Sequence, residues 1–168
     1  DGITVAQVAL GLLRQHLEPG DQIHGIVTNG GEAPNIVPGN ATARYFMRAP
    51  TLEALRELQP RVDNCFKAGA LATGSELQIE SLGPPYSEFM HDYELADLYR
   101  KNANMIGRKA GKPSSVAAGS TDMANISLLI PTIHPMLGLD CFPAVNHQPE
   151  FAQYCVTITA DETLMQGG

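Results

Sequence analysis

The feature that most constrains the fold is a change of hydrophobic periodicity, from helical to strand-like and back, within the first 82 residues. Residues 3–17 carry apolar side chains at helical spacing and end in the turn residues Glu18-Pro19-Gly20-Asp21, which predicts an amphipathic helix. Residues 22–28 and 41–47 are rich in β-branched and aromatic side chains, which predicts two antiparallel strands joined by a long connection.

A second helix and a third strand are predicted next. Thr51 is a suitable N-cap for a helical stripe that runs to Thr73-Gly74, and Pro60 is expected to kink or divide that helix. Residues 76–82 alternate strictly between polar and apolar, which predicts a strand. The order helix, strand, strand, helix, strand is that of a ferredoxin-like split βαβ fold without its first strand. We expect that strand upstream of Asp1, and we expect the chain to be a fragment of a longer protein.

The composition changes after Gly83-Pro84-Pro85, so we place a domain boundary there, with residues 1–83 and 84–168 as the two parts. The second part contains one clear amphipathic helix, for which Asp92 is the predicted N-cap. Its remaining short apolar runs and loops predict strand ends and loops of an α/β layer. The predicted fold class is therefore α+β.

Charge and cysteine content exclude several classes of protein. The net charge is −7 and basic residues are not clustered, so nucleic acid is not an expected partner. No apolar run is long enough to span a bilayer, so no membrane association is expected. The three cysteines are widely separated and odd in number, which indicates reduced thiols and a cytoplasmic protein.

Candidate functional residues occur in both parts. His147 precedes a predicted helix and is able to offer an imidazole nitrogen to a metal, although a histidine at such a position, taken alone, is more often an ordinary surface or capping residue. Asn35 and Arg48 are candidates for holding a carboxylate, with a loop amide and a surface charge as the alternatives. Gly119-Ser120-Thr121-Asp122 is suited to hold a carboxylate or oxyanion, or is a plain turn with Asp122 capping residues 123–129.

Several of these motifs, taken in order, resemble the C-terminal half of the zinc aminoacylase and carboxypeptidase-G metallopeptidase family. The similarity is greatest to its amidohydrolase branch, which includes p-aminobenzoyl-glutamate hydrolase and β-alanyl-lysine dipeptidases. The segments that carry the resemblance are His24 to Gly31, Ala33 to Pro38, Tyr45 to Arg48, Ser120 to Ser127, Ile133 to Met136 and Asn146 to Phe151.

The resemblance implies that residues 1–83 form a ferredoxin-like lid, or dimerisation, domain and that residues 84–168 form the C-terminal segment of an α/β zinc-peptidase catalytic domain. It implies that His147 is a metal ligand, that Asn35 and Arg48 act on the substrate, and that Gly119, Ser120, Thr121 and Asp122 border the substrate pocket. It also implies two zinc ions, or other divalent metals, in the complete enzyme, and a homodimer formed through the lid.

Two functions are therefore expected as alternatives. In the first, the parent protein is a metal-dependent amidohydrolase or peptidase that cleaves a small-molecule amide, an N-acyl amino acid or a dipeptide-like substrate. The 168 residues alone are then expected to be inactive, because most of the metal ligands are absent from them. In the second, the chain is a non-catalytic ferredoxin-like dimerisation or small-molecule-binding module. This alternative leaves the motifs of residues 84–168 without a role.

Overall fold

A computed structural model of the chain describes residues 1–109 and 120–167. The chain divides into two compact units, Asp1–Glu88 and Phe89–Gly168. The division lies five residues after the boundary that the composition predicts. The mixture of helices and one small sheet is compatible with the α+β class. Within the described residues, no helix is both long enough and apolar enough to cross a membrane.

The first unit consists of two helices packed on a two-stranded sheet. Its elements are α1 (Gly2–Leu13) with a 3₁₀ turn (Arg14–His16), β1 (Gln22–Asn29), β2 (Thr42–Arg48) and α2 (Leu52–Thr73). β1 and β2 are antiparallel, with Gln22 opposite Arg48, His24 opposite Phe46 and Ile26 opposite Arg44. The two predicted helices and the first two predicted strands are confirmed.

The core of this unit lies between the helices and one face of the sheet. Its buried residues are Leu10, Ile23, Leu58, Val62 and Cys65. On α2 the buried positions 58, 62, 65 and 69 recur every three or four residues, so they share one face of the helix. Gly69 allows the two helices to approach closely, because a Cβ there would collide with the backbone oxygen of Gly2.

The ends of α2 follow the sequence signals. Thr51 Oγ1 accepts a hydrogen bond from the Ala54 N–H, which confirms the predicted N-cap, and Gly74 ends the helix in the left-handed conformation. The helix is continuous through Pro60, so the prediction of a division there is wrong. Proline has no backbone N–H, so the Arg56 carbonyl lacks its usual helical hydrogen bond. Pro60 and Arg56 are both exposed, so water is able to donate a hydrogen bond to this carbonyl instead.

Residues 76–82 are not a strand in the structure, so that prediction is wrong. The segment keeps its alternating pattern, with Leu77 and Ile79 partly exposed. A strand exists only where a neighbour takes its backbone hydrogen bonds, and the sheet of the described residues contains β1 and β2 alone. Alternation in sequence therefore does not by itself produce a strand here.

The second unit is helical where it is described, with α3 (Tyr93–Met105), α4 (Met123–Ser127), α5 (Pro149–Tyr154) and α6 (Ile158–Gly167). Asp92 Oδ1 accepts a hydrogen bond from the Leu95 N–H, which confirms the predicted cap of α3. None of the described residues of this unit forms a strand, so the predicted α/β layer stays a prediction. Arg108 donates hydrogen bonds to the Gly138 carbonyl, to Thr163 and to Gln166, and thereby links the end of α3 to α6.

The second unit buries few large apolar side chains. The buried hydrophobic residues among its described positions are Ala103, Ala124 and Ala144. Large apolar side chains lie at the surface instead, with Leu129 81% exposed, Phe142 92% and Val156 86%. Alanines contribute much less to the hydrophobic stabilisation of a fold than leucine or phenylalanine do. The described surface of this unit is therefore unusually apolar.

Candidate functional site

Arg48 is the last residue of β2 and lies opposite Gln22, the first residue of β1. Successive side chains of a strand alternate between the two faces of a sheet. Tyr45 and Met47 therefore point towards the helices and pack on the core, whereas Arg48 lies on the opposite, exposed face. Pro50 follows two residues later, and a proline cannot donate to a strand ladder, so the strand ends near Arg48.

Asn35 lies in a tight turn of the connection between the strands. The Ile36 N–H donates to the Ala33 carbonyl at 3.2 Å, with Pro34 at the position of the turn that favours proline, and the Asn35 side chain is exposed. β2 extends for about 20 Å between this connection and Arg48 at its far end. Within the described residues no hydrogen bond joins the two side chains, and their shared role stays a prediction.

The turn before α4 is described from Ser120 onward, and Gly119 lies outside the described residues. Thr121 Oγ1 accepts a hydrogen bond from the Met123 N–H at 3.3 Å. Asp122 occupies the N-cap position but makes no side-chain capping bond, and the helix ends at Ser127 rather than at residue 129. The predicted N-cap position of Asp122 is therefore confirmed, whereas the helix is two residues shorter than predicted and Thr121, not Asp122, supplies the side-chain acceptor. The Asp122 carboxylate is exposed.

His147 has an unusual backbone conformation. Its φ is +67°, in the left-handed region that few residues other than glycine adopt, and its side chain is exposed. The Gln148 side chain accepts a hydrogen bond from the Val145 N–H at 3.1 Å, which closes a turn around His147. Pro149 then begins α5. Residues held in such conformations cluster at functional sites, so the geometry is compatible with a functional role for His147.

The described residues do not by themselves fit a zinc ion. Zinc sites in proteins use at least three protein ligands, mostly histidine, cysteine and carboxylate groups. Within residues 1–109 and 120–167 no group of three such side chains lies close enough together to hold a metal. His147 is therefore a single candidate ligand in this part of the chain.

One grouping of side chains has no local signal in the sequence. The ring of Phe89 lies 4.5 Å from that of His91 and 6.4 Å from that of His134, measured between centroids. The segment is held in place because the Met90 N–H donates to Ser127 Oγ and the Asp92 N–H donates to the Thr132 carbonyl. Both histidines therefore contact the ring of Phe89, as histidines with a structural role commonly do.

Two groups have shifted pKa values, and both lie outside the candidate sites. Hydrogen bonds from its own backbone and from the Leu52 N–H lower the pKa of Glu88, and Arg56 lowers it further. Burial raises the pKa of the Cys65 thiol, against an opposing effect of Arg61. Cys65, Cys141 and Cys155 are all free thiols. The two shifts therefore concern the stability of the first unit rather than chemistry.

The chain is similar in sequence to three known proteins. No protein-family model matches the chain. The chain is 35% identical over 158 residues to an Xaa-Arg dipeptidase of Mus musculus, with 91% of this chain and 36% of the relative covered. It is 31% identical over 156 residues to an Xaa-Arg dipeptidase of Homo sapiens, with the same coverage. It is 28% identical over 79 residues to a p-aminobenzoyl-glutamate hydrolase polypeptide of Escherichia coli (strain K12), covering 46% of this chain and 16% of that protein.

The chain thus spans 36% of the length of the two dipeptidases. Two of the relatives are named as dipeptidases and the third as a hydrolase. These names agree with the general class of enzyme that the sequence motifs indicate.

Proposed function

We propose that the chain is part of a metal-dependent amidohydrolase or peptidase that cleaves the amide bond of N-acyl amino acids or small dipeptide-like substrates. The observation that carries the proposal is the similarity to two dipeptidases over 91% of the chain. In this proposal residues 1–83 are a ferredoxin-like lid, and residues 84–168 are the C-terminal segment of the catalytic domain. The protein is proposed to act in the cytoplasm, in keeping with its three free thiols.

The proposed substrate-binding residues are those that the family resemblance implies. Arg48 presents a planar fork of donors that is able to hold a substrate carboxylate in a bidentate manner, and it is exposed at the end of β2. Asn35 adds a neutral amide, and the segment from Gly119 to Asp122 borders the pocket. The two dipeptidases are named for substrates with C-terminal arginine. A dipeptide is accordingly the first substrate class to assay.

We propose zinc as the cofactor, with two ions in the complete enzyme and other divalent metals able to replace it. Zinc supplies a Lewis acid and lowers the pKa of a bound water when it is present. His147 is the residue of this chain proposed to bind it, and the exposed imidazole in its tight turn supports the proposal. The other ligands are proposed to come from polypeptide outside these 168 residues, so the chain alone is proposed to be inactive.

The apolar surface of the second unit supports the same interpretation. Leu129, Phe142 and Val156 are more than four-fifths exposed, although leucine, phenylalanine and valine are residues that folded domains usually bury. Additional polypeptide packed on this surface would bury them and supply the missing core. This is the arrangement expected if the unit completes its fold with the rest of a catalytic domain.

We further propose that the protein forms a homodimer through the lid. α1 contains no charged residue between Gly2 and Leu13, and one face of it packs on α2. On its other side Val5, Val8 and Leu12 are exposed, and Val8 and Leu12 are exposed by more than half. A helix that is apolar on both sides is usually covered on both. The free edge of β1 is able to extend such an interface by strand pairing.

A non-catalytic dimerisation or small-molecule-binding module is the alternative, and one observation favours it. The first unit has a buried core of its own, with Leu58 only 1% exposed, whereas the second unit has no comparable core among its described residues. A module built on the first unit alone would therefore be physically reasonable. It would give dimerisation or ligand binding without amide hydrolysis.

The test is an amidase assay on the whole gene product that contains these residues. Purified protein is incubated with dipeptides and N-acyl amino acids, before and after treatment with a chelator, and then with zinc restored. The proposal predicts release of the free amino acid that stops with the chelator and returns with zinc. If a folded, zinc-loaded protein hydrolyses none of the amides, the catalytic proposal is wrong and the binding-module alternative is preferred.

A further inference from the structure

The loop that carries His147 contains two unusual backbone conformations. We call residues 140–148 the His147 loop. Among the residues that the structure describes, Asp140 and His147 are the two non-glycine residues with positive φ, at 51° and 67°. The left-handed conformation is unfavourable for a residue with a Cβ, and it persists where neighbouring contacts hold it. A contact close to His147 must therefore stabilise its conformation.

The base of the His147 loop is held by contacts within the loop. The Ala144 N–H donates to the Cys141 carbonyl at 2.8 Å, and the Cys141 thiol donates to the Ala144 carbonyl at 3.3 Å. Ala144 is also buried, which anchors this part of the loop to the second unit. These contacts end at Ala144, so they do not fix the φ angle of His147.

The Gln148 side chain closes the rest of the loop. Its Oε1 accepts a hydrogen bond from the Val145 N–H at 3.1 Å, so His147 lies inside the closed turn. Pro149 follows and restricts the Gln148 backbone to an extended conformation, with φ −109° and ψ 143°. Gln148 occupies the N-cap position of α5 but makes no side-chain capping bond there. The Gln148 side chain therefore stabilises the loop and not the helix.

We propose that Gln148 is a positioning residue, which holds His147 in its left-handed conformation and thereby fixes the direction of the imidazole. The inference rests on the proposed function, in which His147 binds zinc. Relaxation of His147 from its φ of +67° to the helical value of about −63° would change φ by about 130°. The imidazole would then leave the loop in a different direction. A ligand that is correctly placed for part of the time binds with an affinity reduced by that fraction.

The strength of one exposed hydrogen bond sets the size of the expected effect. Val145 and Gln148 are both exposed, so water replaces part of what the bond contributes. Such a bond changes an equilibrium constant about fivefold. Gln148→Ala should therefore lower the ratio of left-handed to relaxed His147 about fivefold and raise the dissociation constant for zinc about two- to fivefold.

The first measurement is the conformation of His147 in the whole gene product, freed of metal by a chelator and isotopically labelled in histidine. The NMR cross-peak between the amide proton and the α-proton of His147 is intense at positive φ, because the two protons approach most closely there. His147→Gln assigns this cross-peak by removing it.

Variants of Gln148 then test the contact itself. Gln148→Ala should weaken the His147 cross-peak. Gln148→Glu should keep it, because a carboxylate oxygen of the same reach accepts the Val145 N–H. Gln153→Ala is the matched control, since Gln153 is an exposed glutamine of α5, and it should leave the cross-peak unchanged.

The second measurement is the affinity of the same proteins for zinc alone, by equilibrium dialysis. Gln148→Ala should raise the dissociation constant about two- to fivefold, and Gln153→Ala should not. Gln148→Ala is then combined with His147→Gln. In that background it should have no further effect, because a positioning residue acts through the residue that it positions. A general loss of folding would weaken zinc binding in both backgrounds.

Three results would overturn the inference. These are an unchanged cross-peak in Gln148→Ala, loss of the cross-peak in Gln148→Glu as well, or an equal effect of Gln148→Ala on zinc binding with and without His147.

The same variants distinguish this inference from the proposed function. If His147→Gln leaves zinc binding unchanged but Gln148→Ala weakens the cross-peak, only the proposed role of His147 as a ligand fails. If His147→Gln lowers zinc binding but Gln148→Ala changes neither the cross-peak nor the affinity, only this inference fails.

Discussion

Leu58 is the side chain on which the first unit depends most, and replacing it tests the described core. It is 1% exposed and lies in the buried cluster with Leu10, Ile23 and Val62. Loss of the transfer free energy of a buried leucine costs about 2 kcal/mol. The cavity left behind raises the expected cost of Leu58→Ala to about 3 kcal/mol. With a urea dependence of about 1.5 kcal/mol per molar, the unfolding midpoint should fall by about 2 M.

The assay is urea unfolding followed by the NMR amide signals of β1 and α2, which report on the first unit alone. Leu71→Ala is the matched control, since Leu71 is on the same helix but 86% exposed. Its effect should stay within about 0.5 kcal/mol. Equal destabilisation by the two substitutions, or less than about 1 kcal/mol from Leu58→Ala, would refute the placement of α2 on this core.

Four further predictions concern stability and thiol reactivity. Gly69→Ala should destabilise the chain by about 1–3 kcal/mol, because its Cβ collides with the α1 backbone. Gly11→Ala, where nothing lies within 4 Å, should stabilise α1 by about 0.5–1 kcal/mol, and urea unfolding of both variants tests the pair. Cys155 should react with a thiol reagent much faster than buried Cys65 with its raised pKa, and equal rates in the folded chain would contradict this. The lowered pKa of Glu88 means that its stabilising effect is present above the unfolded pKa and is lost as the pH falls through the folded pKa. Glu88→Gln should therefore be less stable than the parent at neutral pH and equal to it in acid, whereas a constant difference at all pH values would exclude the interaction.

Local signals in the sequence were sufficient for the elements that carry their own stabilising contacts. Thr51 and Asp92 were recognisable as N-caps because the capping hydrogen bond joins residues three apart in sequence. The apolar spacing of residues 3–17 and 51–73 likewise defines faces that pack on each other in α1 and α2. The strands of the hairpin were predictable from their β-branched and aromatic content.

Features that depend on distant partners were not predictable. Residues 76–82 alternate as a strand does, but pairing requires a neighbour that no local pattern specifies. Pro60 was expected to kink or divide α2, and the division does not occur because the exposed position of Pro60 limits the cost of the lost hydrogen bond. The two errors have the same origin. In each case the conformation of the segment depends on its surroundings in the fold and not on its own sequence alone.

The candidate sites show the same distinction. His147 was found through the motif around it, but its left-handed backbone conformation has no sequence signal. Gln148 was not among the candidate residues, because its hydrogen bond to the Val145 N–H depends on how the loop folds. Loop conformation, rather than composition, was the missing information.

The most direct test of the central claim is the zinc content and amidase activity of the whole protein with His147→Gln. His134→Gln is the matched control, since His134 is also an exposed histidine of the second unit. If His147 is a metal ligand, its replacement should lower both bound zinc and activity, with activity falling by at least about 100-fold. The His134 variant should keep both. A His147→Gln protein that binds zinc and hydrolyses amides like the parent would contradict the assignment of His147 as a ligand.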